Sequence, residues 1–123
     1  MIALYLDGTV NLDASVPDIE TGLRGLDGAD HSLLVVELPS RATITVGGGP
    51  ETFAVEVTST ANDHWNVVDL RRLEGTLQLV VGGEVVDLPA RFCVDRNAAL
   101  EAVRTFASEN GARSPRLHWS PGP

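Results

Sequence analysis

A chain of 123 residues has room for one domain and little for a second, and it is long enough to bury a core of its own. Its hydrophobic fraction of 43% and charged fraction of 21% are ordinary for a globular protein and argue against disorder. No apolar run approaches the ~20 residues of a membrane-spanning helix, and the formal net charge of -8 excludes a nucleic-acid-binding or anionic-membrane-binding surface as the default expectation.

In chain order, Ile2 to Leu6 alternates and reads as a first strand ended by the turn signal Asp7-Gly8. That turn interrupts MIALYLDG before a signal-peptide core could form, and the lone Cys93 can make no internal disulfide, so the expected compartment is the cytoplasm. Ser15-Val16-Pro17-Asp18 has the marks of a helix start: an N-cap serine, proline in the first turn and an acid at the positive end of the dipole. Ile19, Leu23 and Leu26 would share one face of this helix. Gly22 and Gly25 each weaken it by roughly 1 kcal/mol, which keeps it short.

From His31 onward the texture is that of strands: SLLVVEL, ATITV, TFAVEV, HWNVVDL, TLQLVV and EVVDL, separated by turn signals. Gly82-Gly83 is a two-residue hairpin turn, because both central positions of a type I′ turn need positive φ. The connections are too short for crossover helices, so an antiparallel meander with one wet face is expected. After Ala90 to Val94, Asp95 caps a second, longer helix running to about Glu109, with Ala99, Val103 and Phe106 on its apolar stripe and Gly111 as its stop. Arg116 to Trp119 forms a last strand. The expected fold is α+β: residues 1–123 as one domain, with a single largely antiparallel sheet of five to seven strands, a short helix near the N-terminus and a longer one near the C-terminus.

No catalytic constellation stands out. VGGGPE lacks the GK[ST] ending of a phosphate loop and is followed by a strand, so it reads as a turn. His31, His64 and His118 are far apart with no metal-ligand spacing, Cys93 reads as a small buried hydrophobe, and Glu84 and Asp87 differ in strand parity. No cofactor and no metal are expected, and no enzymatic activity. Trp65, in a polar turn-to-strand junction, and Trp119, in the last strand, each read either as core or as an aromatic anchor at an interface.

The charge is segregated. Residues 1–70 hold eleven acids against Arg24 and Arg41, while residues 71–123 hold six acids against seven arginines. An acidic half steers basic proteins toward it, although net charge also serves solubility. Glu51, Glu56, Asp63 and Asp69, with Trp65 as anchor, are the first candidates for partner binding, and Arg71, Arg72 and Arg91 are the next place to look.

The second half, roughly residues 43–119, resembles the type-one "Imm" immunity proteins of bacterial polymorphic toxin systems. The resemblance rests on an ordered series: GGGPE, the strand HWNVVD, the hairpin TLQLVVGGEVVDLPARF, the helix DRNAALEAVRTFASENG and the closing PRLHW. It implies an intracellular antitoxin that binds a cognate secreted toxin domain and blocks its active site; partners in this family include deaminases and nucleases. A one-to-one complex of a monomer with a basic, nucleic-acid-handling toxin is the expectation, with no direct contact to nucleic acid or membrane. A scaffold or small-ligand-binding domain is the alternative, and a deep apolar pocket would favour it.

Overall fold

The computed structural model describes residues 1–72 and 74–122. Strands β1 (Ala3–Leu6), β2 (Thr9–Asn11), β3 (Leu33–Glu37), β4 (Thr43–Gly48), β5 (Phe53–Thr58), β6 (His64–Val68) and β10 (His118–Pro121) form one antiparallel sheet in the order β10-β6-β5-β4-β3-β1-β2. Strands β7 (Thr76–Val81) and β8 (Glu84–Pro89) pair only with each other, and β9 (Cys93–Val94) pairs with the start of β5. Helices α1 (Val16–Arg24) and α2 (Arg96–Ser108) complete an α+β fold. No helix among the described residues is long and apolar enough to cross a membrane.

Strand alternation decides which face is buried. Leu34 and Val36, Ile44 and Val46, and Val55 and Val57 point to one side at 2% exposure or less, where both helices cover them. Ile19 and Leu23 of α1 and Ala99, Val103 and Phe106 of α2 supply the facing stripe, and burying each of the larger side chains contributes about 1.5–3 kcal/mol. Both helices start where the capping residues stand. The Ser15 hydroxyl accepts from the Asp18 amide while the Asp18 carboxylate accepts from the Ser15 amide, and Asp95 accepts from the Ala98 amide at 2.8 Å. Arg104 of α2 reaches Glu20 of α1 at 2.7 Å and ties the helices together.

The meander expectation holds from β3 through β6, where successive strands are sheet neighbours. The expectation of a single sheet needs correction, because the β7–β8 hairpin is not in the meander. The place beside β6 is taken by β10, with His118 opposite Val68 and Trp119 opposite Val67. The hairpin instead lies over the sheet face away from the helices. Its inner face carries Leu77, Leu79, Val81, Val86 and Leu88, which the register places together. Gly47 admits it, since a Cβ there would stand 2.7 Å from both Val81 γ-carbons. The turn itself is as expected, with φ of 60° at Gly82 and 84° at Gly83. Asp7-Gly8 does not merely end β1: it turns the chain back into β2, a three-residue edge strand exposed throughout.

The C-terminal segment is clamped to α2. The buried Ser114 hydroxyl donates to Glu101 Oε2 at 2.6 Å, Thr105 Oγ1 donates to the same oxygen at 3.1 Å, and the Trp119 indole donates to the Ser114 carbonyl at 2.9 Å. These bonds hold the Glu101 carboxyl below the usual range, led by the Ser114 hydroxyl. Trp119 is half-buried and packs against the core.

Candidate partner-binding face

The sheet face opposite the helices is built by the other parity of the same strands. β4 contributes Thr43, Thr45 and Gly47, β5 contributes Ala54, Glu56 and Thr58, and β6 contributes His64, Asn66 and Val68. Cross-strand pairing lines up Thr45, Glu56, Asn66 and Ser120 in one row and Thr43, Thr58 and His64 in the next. Neither row contains an arginine, and the β7–β8 hairpin, which has none either, adds Glu84 on the side that carries Val81.

Glu56 stands at the centre with its side chain 40% exposed. Its carboxylate lies 3.7 Å from His64 Nδ1, beyond hydrogen-bond reach, because that nitrogen is closer to Thr58 Oγ1 at 3.2 Å. Among the described residues Glu56 has no arginine partner. Between it and the overhanging hairpin runs a slot of about 280 Å³, walled by Ala54, Val81, Val86 and Leu88 and ending at Glu56 and Asn66.

The other residues nominated from sequence scatter. Asp63 is exposed in the β5–β6 turn, one residue before β6. Glu51 sits in the β4–β5 turn, at the opposite end of β5. Trp65 pairs across from Val57, which puts it on the helix side, and the Arg113 guanidinium covers its ring at 3.7 Å from the centroid. Asp69 is 8% exposed and gripped by arginine: Arg71 Nε at 3.0 Å and Nη2 at 3.2 Å, with Arg72 Nε at 3.6 Å. The Arg71 hydrogen bonds hold its carboxyl below the usual range. The pairing occupies Arg71 and Arg72, and Arg91 stacks on Phe92 at 4.6 Å. Glu56 and Asp63 therefore share one hairpin, while Trp65 and Asp69 are engaged inside the molecule.

Sequence reasoning missed the neighbours of Glu56. Strand parity alone could have paired it with Ala54. The apolar wall from β7 and β8 had no local signal, because those residues are some twenty or more positions away and meet the sheet only through tertiary packing.

Elsewhere, His31 lies 3.9 Å from Asp7, and among the described residues no group of three His, Cys, Asp or Glu side chains is placed to hold a metal ion. Cys93 is buried, and burial pushes its thiol pKa up, away from nucleophilic character. A groove of about 610 Å³ runs between α1 and the β1–β2 hairpin, lined by Leu4, Leu6 and Gly22 and by Asp7, Asp18 and Asp30.

A family model described as Immunity protein Imm1 matches residues 14–121. The match starts at the cap of α1, well before residue 43, and leaves only β1, β2 and the chain termini outside it. No curated protein matches the chain.

Proposed function

The chain belongs to the Imm1 immunity proteins, and on that premise we propose that it is an antitoxin whose open sheet face binds a basic, nucleic-acid-handling toxin domain, such as a deaminase, and blocks its active site. The observation that carries this reading is the single sign of that face. Glu56, Asp63 and Glu84 border it and no arginine of the chain lies in its rows. A toxin that handles nucleic acid presents cationic side chains where phosphates lie. Carboxylates on a firm sheet occupy those positions without supplying a scissile bond, so the antitoxin needs no catalytic step of its own. The protein acts as a monomer in a one-to-one complex in the cytoplasm of the toxin-producing cell. The interface buries on the order of 1,600 Å².

The test reverses charge at exposed positions. Glu56→Arg combined with Asp63→Arg, at an unchanged melting temperature, should abolish neutralisation of the cognate toxin domain. If the folded double variant protects as well as the parent at low salt, this face is not the interface. A second reading, a small-ligand-binding or scaffold domain, draws on the groove between α1 and the β1–β2 hairpin. Native mass spectrometry showing a stoichiometric small molecule on the purified protein would favour it.

A further inference from the structure

We propose that the slot beneath the β7–β8 hairpin is the receptor for one arginine side chain of the toxin, with Glu56 as its counter-ion; this inference rests on the antitoxin reading and deepens it. The slot has two chemically distinct parts. Its walls, Ala54, Val81, Val86 and Leu88, offer only apolar surface, and its end offers the Glu56 carboxylate and the Asn66 side-chain amide, with Thr45 in the same cross-strand row. A hydrocarbon guest would satisfy the walls and leave the carboxylate without a partner. A small anion would be repelled. A guest with an aliphatic stem and a cationic planar head satisfies both parts. The guanidinium donates in a fork that a carboxylate accepts in bidentate fashion, and the Asn66 amide oxygen and Thr45 hydroxyl are further acceptors in reach of the same row.

Glu56 is free for this role. Among the described residues it accepts no hydrogen bond, and the basic side chain within 4 Å of it is His64 at 3.7 Å, whose Nδ1 is engaged by Thr58. The chain's acids that do meet arginine, namely Glu20, Asp69, Asp95 and Glu101, are bound to Arg104, Arg71, Arg72 and Arg116. The hairpin is held at the right height by two contacts: Val81 against Gly47, and the Gly83 amide donating to the Ser32 hydroxyl at 2.9 Å. An arginine seated there is desolvated on its stem and paired at its head, the setting in which interface hot spots occur.

Two measurements on the full chain test the slot. In the first, N-acetyl-arginine methylamide is titrated into labelled protein and followed by NMR. Saturable shifts confined to the amides around Ala54, Glu56, Asn66 and Val86 are expected, with a Kd on the order of 1–10 mM for so small a ligand. N-acetyl-norleucine methylamide should leave them unmoved, and Glu56→Gln should remove the response. Equal shifts with the norleucine probe, or an undiminished response in Glu56→Gln, overturn the proposal. In the second, binding of the cognate toxin domain is measured for the parent, for Glu56→Gln and for Ala54→Leu, which fills the slot without touching the charge. Each variant, folded by its melting temperature, should bind at least about 30-fold more weakly. Parent-like binding by both variants overturns the slot while leaving the antitoxin reading intact. If the parent itself neither binds nor neutralises the toxin, the antitoxin reading falls and the arginine titration alone decides the slot.

Discussion

Asp69 shows how an acidic residue in an acidic half is taken out of circulation. Its carboxylate accepts from the Arg71 backbone amide and guanidinium and faces Arg72, so it holds the chain leaving β6 rather than meeting a partner. Replacing it with alanine leaves Arg71 only Asp95 at 3.7 Å and Arg72 only the Cys93 carbonyl at 3.5 Å, and should cost about 2 kcal/mol, the range of hydrogen bonds to charged groups. The pH dependence has a definite sign. Arg71 holds the folded pKa of Asp69 below its unfolded value of about 3.9. The contribution is therefore complete above about pH 4 and is lost as pH falls through the lower folded value. Thermal melts of parent and Asp69→Asn should be separated most at neutral pH and converge on acidification; a constant gap down to acid pH would show that the carboxylate charge is irrelevant. Trp65 makes the same point for an aromatic. With Arg113 over its ring at 3.7 Å, its exposed side is already covered. Arg113→Ala should lower stability by about 1 kcal/mol and shift tryptophan emission to the red as water reaches the indole. Unchanged emission would mean the ring is covered by something else.

Among the elements, the β7–β8 hairpin comes closest to another strand at Gly47, one of several residues it meets. Gly47 lies on β4, and a methyl group there would stand 2.7 Å from both Val81 γ-carbons. Gly47→Ala should lift the hairpin and cost about 1–3 kcal/mol, the usual range for overpacking. Val81→Ala in the same chain removes the colliding atoms, so the double variant should recover much of the loss, a coupling that a double-mutant cycle measures directly. Amide exchange should accelerate in β7 and β8 and stay slow in β3 to β5, since among the described residues the two sheets share no backbone hydrogen bonds. Uniform acceleration would place Gly47 in the support of the whole sheet instead. The short α1 is held by its ends as much as by its length, with a full capping box at Ser15 and Asp18 and Gly25 as C-cap.

At the scale of the whole molecule, the fold sorts acids by whether an arginine reaches them. Arginines of the second half are spent on Glu20, Asp69, Asp95, Glu101, Trp65 and Phe92, whereas Glu56 and Asp63 remain free of arginine. The surviving field on the open face is negative. Association with the toxin should consequently slow by tenfold or more on the order-of-magnitude scale expected for steered encounters as salt rises, because exposed charges are screened beyond ~10 Å at 0.1 M salt. Dissociation should change far less, since contacts already formed exclude that salt. Stopped-flow rates across a salt series check this, and a flat association rate would show that the acidic face plays no part in the encounter.

The order and ends of the elements were legible in the residues themselves. Ser15 and Asp95 cap where they stand, Gly82 and Gly83 adopt the positive φ that their turn requires, and the alternation in β4 and β5 separates Ile44 and Val55 from Thr45 and Glu56. Those signals are local, because a cap, a turn or a period of two is satisfied within a few residues. The resemblance to immunity proteins was legible as well, although only over the second half, whereas the family match extends back through α1. Which acids are free was not legible. Asp69 and Glu56 look alike in sequence, and only the arginines that reach them through space, two for one and none for the other, tell them apart. The site of the hairpin was likewise decided in three dimensions: its apolar face needed a surface to cover, β10 had taken the edge beside β6, and Gly47 left the gap into which Val81 fits.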